Sequence, residues 1–137
     1  MVIQLGQTIV CLYINQAAVE NKLFTGVDIG CDKIHLSHLQ YADDTIFFGK
    51  WDVNNLRSLM NLLKCFELTS GLKVNYHKSN LFGVGVEPHE VEDMARLFGC
   101  NIGTFPFTYL GLPIGAKMNK EANWKPVIEK FEKRLAD

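Results

Sequence analysis

Two adjacent carboxylates, Asp43 and Asp44, stand between two apolar runs rich in β-forming residues, at 34–40 and 45–48. Runs of this kind predict two strands joined by a tight turn. Because neighbouring side chains on an extended strand point to opposite faces, the two carboxylates converge only where the backbone bends. Once converged, they repel each other unless a cation neutralises them. The pair therefore predicts a hairpin and raises the question of what that hairpin binds.

Oxygen ligands of this kind suit Mg²⁺, which proteins hold through one or two carboxylates together with substrate phosphates. Two such ions, about 3.5–4 Å apart, can activate an attacking hydroxyl and stabilise a leaving oxygen in phosphoryl transfer. A plain polar turn is the alternative, because aspartate is a favoured turn residue. For residues 41–44 taken alone, the polar turn is the preferred interpretation.

The rest of the chain predicts an α+β fold. Residues 9–23 are weakly helical, and alternation predicts strands at 72–76 and 80–86. A helix capped by Asp52 or Asn54 and ended by Gly71 would bury Leu56, Leu59, Met60, Leu63 and Phe66.

Two further helices and a hairpin are expected in the second half. The first helix opens at Pro88 and stops at Gly99, with Val91, Met94, Ala95 and Phe98 as its apolar stripe. Residues 105–115 predict a tight hairpin, rich in aromatics, glycine and proline. A last helix from Asn119 is expected to bury Trp124, Val127, Ile128, Phe131 and Leu135.

Composition excludes several classes of protein. With 47% hydrophobic and 21% charged residues the chain is globular, and its net charge of −1 gives no argument for a nucleic-acid partner. Six bases face three acids at 117–134, which is compatible with a phosphate backbone, although solvated helix faces give the same counts. The four cysteines form no C-x-x-C pair, so neither a zinc ribbon nor a disulfide frame is predicted. The opening segment is unlike a signal peptide or membrane span, so an intracellular location, in the nucleus or cytoplasm, is expected.

The order of three motifs changes the interpretation of the acid pair. The string HLQYADDT at 38–45 resembles the aspartate-pair motif of LINE-type (non-LTR retrotransposon) reverse transcriptases, in the form common in plant genomes. GLKVN at 71–75, followed by Lys78, is similar to the next motif of that family. FTYLGLP at 107–113 resembles its primer-grip hairpin, and WKP at 124–126 resembles the helix that begins the thumb.

The resemblance implies a role for each matching residue. Asp43 and Asp44 would be the catalytic pair that binds Mg²⁺, with Mn²⁺ as the alternative ion. Tyr41 would lie beside the primer end and the incoming nucleotide. Lys78 would neutralise or protonate the departing pyrophosphate, although an exposed lysine without a catalytic role fits the position nearly as well. The primer would be held by the turn of Tyr109, Leu110 and Gly111, whose alternative interpretation is a plain hairpin closing a core.

The departures from the family are equally informative. A family enzyme carries a further catalytic aspartate on an earlier palm strand, and none of Glu20, Asp28 or Asp32 follows a strand of that kind. Asp28 itself is expected in a connecting loop. The resemblance thus divides the chain into a poorly matching segment at 1–16, a partial palm at 17–115 and the start of the thumb at 116–137. The missing strand is expected to be encoded in the DNA upstream.

The expected function is therefore Mg²⁺-dependent nucleotidyl transfer by descent, with little activity in this chain alone. RNA template, DNA primer and deoxynucleoside triphosphate are the partners that the resemblance implies, with no membrane and no obligate protein partner. Two alternatives remain open: a non-catalytic remnant that binds nucleic acid weakly through basic helices, and a domesticated module that binds another protein.

Overall fold

The computed structural model describes residues 1–6, 12–117 and 119–136. These residues form an α+β fold, as the sequence predicts, in two compact units, Met1–Ile102 and Gly103–Asp137. No helix in the described ranges is both long enough and apolar enough to cross a bilayer.

The first unit contains seven strands and three helices in its described part. In chain order these are β1 (Val2–Gly6), α1 (Leu12–Glu20), β2 (Val27–Ile29), β3 (Ile34–Leu36), β4 (His38–Tyr41), β5 (Asp44–Phe48), α2 (Val53–Ser70), β6 (Asn75–Phe82), α3 (Pro88–Phe98) and β7 (Asn101–Ile102).

A five-stranded sheet in the order β4-β5-β1-β6-β7 organises this unit, with β2 and β3 forming a separate two-stranded sheet. All neighbours in the large sheet are antiparallel except β6 and β7, which run parallel across the α3 connection. The strands β5 and β6 and the helix α2 between them form a split βαβ arrangement, in which β1 lies between β5 and β6 in the sheet.

One face of the sheet packs against the helices. The core comprises Met1, Ile3, Leu5, Phe24, Phe47, Leu56, Leu59, Leu63, Val74, Leu81, Met94, Ala95 and Phe98. Ile3 and Leu5 alternate along β1, β5 contributes Phe47, and the members from α2 recur at helical spacing, as the sequence predicts for that helix. Full burial of each large aliphatic side chain contributes about 1.5–3 kcal/mol.

The helix ends follow their capping residues. The Asp52 carboxylate accepts hydrogen bonds from the backbone amides of Asn54 and Asn55 at 2.9 and 3.0 Å, so Asp52 is the cap of α2. Gly71 ends that helix in the left-handed region, with a φ of 73°. Gly99 ends α3 in the same way, which confirms both predicted stops.

Several predicted strands are wrong in extent. The run at 34–40 is two strands in different sheets, because the chain leaves β3 and pairs with β5 from His38 onward. The predicted strands at 72–76 and 80–86 are one strand, β6. Asp28 lies in β2, not in a connecting loop. Central strand β1 is absent from the sequence prediction, since five residues with a glycine give too short a pattern. Residues 9–11 of the weakly helical stretch lie outside the described residues.

The second unit consists of a hairpin, β8 (Phe107–Tyr109) and β9 (Leu112–Ile114), a short 3-10 helix (Glu121–Trp124) and α4 (Lys125–Leu135). The hairpin and the helix confirm the sequence prediction, but the expected burial of the helix stripe is wrong. Trp124, Ile128, Phe131 and Leu135 are exposed, and Val127 is half-buried. Helical periodicity shows which face is apolar, and it does not show that a surface exists to cover it.

Candidate functional site

The acid pair lies in the two-residue turn between β4 and β5. Tyr41 and Asp44 form the last pair of the ladder, so Ala42 and Asp43 make the loop. Ala42 has a φ of 54°, whereas Asp43 does not enter the positive-φ region, which is the combination of a type II′ turn. Glycine is the usual residue at the first position. An alanine there costs about 1–2 kcal/mol of backbone strain, and strain of this kind is concentrated at functional sites.

The orientation of the pair follows from strand alternation. Thr45 and Phe47 face the helices, so Asp44 points to the opposite face of the sheet, as does its ladder partner Tyr41. Asp43 and Tyr41 are exposed, and Asp44 is half-buried. The two carboxylates are thus presented to solvent by a strand whose next residues are fully buried.

The register also places the end of β1 beside the pair. Leu5 lies opposite Thr45, so the antiparallel register brings Gly6 level with Asp44. On its other side, Gly6 pairs with Asn75 of β6. β1 contains no acidic residue, and among the described residues no group of three or more His, Cys, Asp and Glu side chains is arranged to hold a metal ion.

Lys78 lies in an irregular part of β6 next to β1. The pairing changes register between Gln4, which pairs with Asn80, and Gly6, which pairs with Asn75. Within this bulge the Lys78 amide donates to Asn75 Oδ1 at 3.2 Å. Lys78 is exposed, and its bulge is two strands from Asp44, a separation of about 10 Å for neighbouring strands about 4.8 Å apart. Asp44 and the bulge of Lys78 therefore lie at the same end of the sheet.

The donor set of this end of the sheet fits a divalent cation. Two carboxylates at a hairpin turn match the way Mg²⁺ binds when phosphates and water supply its other ligands. Two acidic residues that precede the pair in the chain lie away from it, in the two-stranded sheet. Asp28 on β2 contacts His35 on β3 at 2.9 Å, and Asp32 is exposed in their connecting turn.

Burial shifts the pKa of three side chains of the first unit. Burial lowers the pKa of His38, whose Nδ1 is 2.9 Å from Ser37 Oγ at the start of β4. Burial also raises the pKa of the Cys100 thiol to about 11, so this thiol is not an activated nucleophile at neutral pH. Burial and the nearby Glu67 raise the pKa of Tyr76.

The predicted primer-grip residues form the turn of the second unit. Tyr109 pairs with Leu112, so Leu110 and Gly111 are the loop, with φ values of 52° and 80°, the combination of a type I′ turn. Tyr109 is buried. The Lys130 ammonium on α4 donates a hydrogen bond to the Leu110 carbonyl, a contact that no pattern in the sequence indicates.

A cleft of about 220 Å³ opens between this turn and α4. It is lined by Leu110, Leu112, Val127, Lys130, Phe131 and Arg134. The second unit thus combines an apolar cleft with two cationic side chains one helical turn apart.

Comparison with known proteins adds no assignment. No protein-family model matches the chain, and no curated protein matches it significantly.

Proposed function

We propose that this chain is the later part of the palm and the beginning of the thumb of a LINE-type RNA-directed DNA polymerase, acting in the nucleus or cytoplasm. The observation that carries the proposal is the turn of Asp43 and Asp44. Its alanine is strained, its Asp44 faces away from the helical layer, and it projects from a sheet with a buried core. A merely polar turn needs none of these features, and the order of the three sequence motifs is the second support.

In the proposed reaction the chain supplies ligands and positioning groups. Asp43 and Asp44 would hold Mg²⁺, which when bound would activate the primer hydroxyl and stabilise the leaving pyrophosphate. Lys78, at the same end of the sheet, attracts that pyrophosphate. Tyr41, on the same face as Asp44, contacts the primer end and the nucleotide. The turn of Leu110 and Gly111 offers its backbone to the primer strand.

The acid content of the sheet predicts weak metal binding by the chain alone. Gly6 is level with Asp44 where an acid from the central strand would complete a set of three. With two carboxylates, Mg²⁺ or Mn²⁺ should bind only at high concentration, and D43N or D44N should abolish binding. Mn²⁺ titration followed by the relaxation rate of water protons measures this, with D32N as the control. Undiminished binding in D43N would contradict the metal assignment.

Polymerisation tests the function directly. Residues 1–11 are replaced by the fingers and the acid-bearing palm strand of an active LINE-type reverse transcriptase, and extension of a DNA primer on an RNA template is measured. We expect D43N to reduce extension by several orders of magnitude, because the chemistry depends on charge stabilised by the metal. Primer extension by the D43N variant equal to that of the unmutated protein would contradict the proposal. The D32N variant should extend normally.

A further inference from the structure

Lys130 makes an unusually specific contact for an exposed lysine. From Cδ to Nζ the side chain lies over Gly111, and the ammonium donates to the carbonyl of Leu110. A Cβ atom added at Gly111 would lie 2.5 Å from the Lys130 Nζ and 3.0 Å from its Cδ. The absence of a side chain at position 111 is therefore what allows Lys130 to reach the turn.

The carbonyl that Lys130 contacts lies outside the hydrogen-bonded ladder of its hairpin. The ladder pairs Tyr109 with Leu112, so the Leu110 carbonyl lies in the loop, beyond the ladder. Leu110 has a φ of 52°, in a region that leucine rarely adopts. A charged donor on a turn carbonyl contributes more than a neutral one, so the ammonium favours this strained geometry over its alternatives.

We propose that Lys130 is a positioning residue, which fixes the Leu110–Gly111 turn against α4 so that the turn presents one backbone geometry to a primer strand. The turn and α4 then move as one body. The identity of the ligand rests on the proposed function, whereas the lock between Lys130 and the turn rests on the contacts alone.

Lys133 provides a matched control. It lies on the same helix three residues further on, it is exposed, and its loss removes the same charge. If Lys130 acted only as a positive charge near a phosphate backbone, K130M and K133M would weaken nucleic-acid binding alike. A positioning role predicts that they differ and that K130R, which keeps a charged donor, restores the wild-type behaviour.

The first measurement is the affinity of the full chain for a DNA primer annealed to an RNA template, by fluorescence anisotropy. We expect K130M to weaken binding about three- to tenfold, K133M about twofold, and K130R to bind as the wild type does. Equal losses in K130M and K133M would overturn the positioning role.

The second measurement needs no nucleic acid, so it separates the lock from the proposed function. In amide NMR spectra, K130M should shift the resonances of Gly111 and Leu112 and speed their hydrogen exchange, whereas K133M and K130R should not. Unchanged turn amides in K130M would refute the lock. If the wild type binds no primer duplex while the lock is present in these spectra, the polymerase proposal fails and the structural role of Lys130 stands.

Discussion

The two tight turns of the molecule have the same length and different supports. Each joins two short antiparallel strands after a tyrosine, and each begins with a non-glycine residue of positive φ, Ala42 at 54° and Leu110 at 52°. They diverge at the second loop position. Asp43 keeps the turn in the II′ form, whereas Gly111, with a φ of 80°, gives the I′ form.

The means of support differ more than the backbone. After the first turn, the strand enters the core at once, since Thr45, Ile46 and Phe47 are buried. The second turn is contacted by an ammonium from α4, a helix with no fully buried side chain among those described. A turn whose strand enters a core can present charged side chains that need a cation, whereas a turn whose carbonyl is bound by a cation presents its backbone.

The largest difference between the two turns is expected when the core that supports the first turn is disrupted. Leu5→Ala empties a buried site opposite Thr45 and should lower the free energy of unfolding of the first unit by about 2–5 kcal/mol. The exposed Phe131→Ala in the second unit should cost less than about 1 kcal/mol. Each unit contains one tryptophan, Trp51 or Trp124, so urea unfolding in W124F and W51F backgrounds reports them separately. Similar losses in both units would show that the supports are alike.

A smaller effect is expected from Gly111→Ala. The added methyl group strains the positive φ and displaces Lys130, so the local stability of the second hairpin should fall by about 1–2 kcal/mol. Hydrogen exchange of the amides at 107–114 measures it. Gly30→Ala is the control, because it has a similar φ of 75° with nothing within 4 Å of the new Cβ atom. An equal loss of local stability in Gly30→Ala would show that the displacement of Lys130 contributes nothing to the effect of Gly111→Ala.

Ala42→Gly should act in the opposite direction at the first turn. Glycine relieves the strain of the positive φ, and the gain in unfolding free energy should be about 0.5–1 kcal/mol after the greater freedom of the unfolded chain is subtracted. Urea unfolding measures it. Ala17→Gly, at an exposed position of α1, should lose about 1 kcal/mol. A loss in both variants would mean that Ala42 is not strained.

The smallest expected effect is a pH dependence of stability that arises from His38, at the start of the strand β4 that leads into the first turn. Burial lowers the folded-state pKa of His38 below its unfolded value, so the unfolded chain binds more protons. The contribution of His38 to the free energy of unfolding should therefore be fully present above the unfolded pKa, near 6.5, and be lost as the pH decreases below it. H38Q should reduce the slope of unfolding free energy against pH between 7 and 5. The second hairpin contains no histidine, so its exchange rates, corrected for intrinsic pH dependence, should stay constant.

Local patterns in the sequence predicted the features that depend only on neighbouring residues, such as helix ends and the apolar faces of helices. The caps at Asp52 and Gly71 and the stripe of α3 fix two helices, because each depends on residues within a few turns. The position of β1 depends on pairing with Phe48 and Phe82, far away in the chain, and no short pattern carries that information. The exposed stripe of α4 was missed for the same reason, since burial requires a partner surface.

The candidate site divides in the same way. Two adjacent aspartates between β-rich runs predicted the hairpin that carries them, because turn chemistry is local. The strain at Ala42 and the alignment of Gly6 with Asp44 arise from the sheet and could not be predicted from residues 41–44 alone. No sequence pattern indicates the contact of Lys130 with the second turn, which only the position of its side chain over Gly111 reveals.

The central place of β1 sets a condition on how the chain folds. Its residues pair with β5 and with β6, so Val2 has partners at Phe48 and Phe82. Contacts of this sequence separation close large loops, which slows folding relative to structures built from local contacts. During synthesis, β1 emerges before both of its partner strands, so the edge that faces β6 stays open until residue 82 has emerged. An open edge recruits other strands, so the nascent chain passes through its most aggregation-prone state just before the sheet is completed.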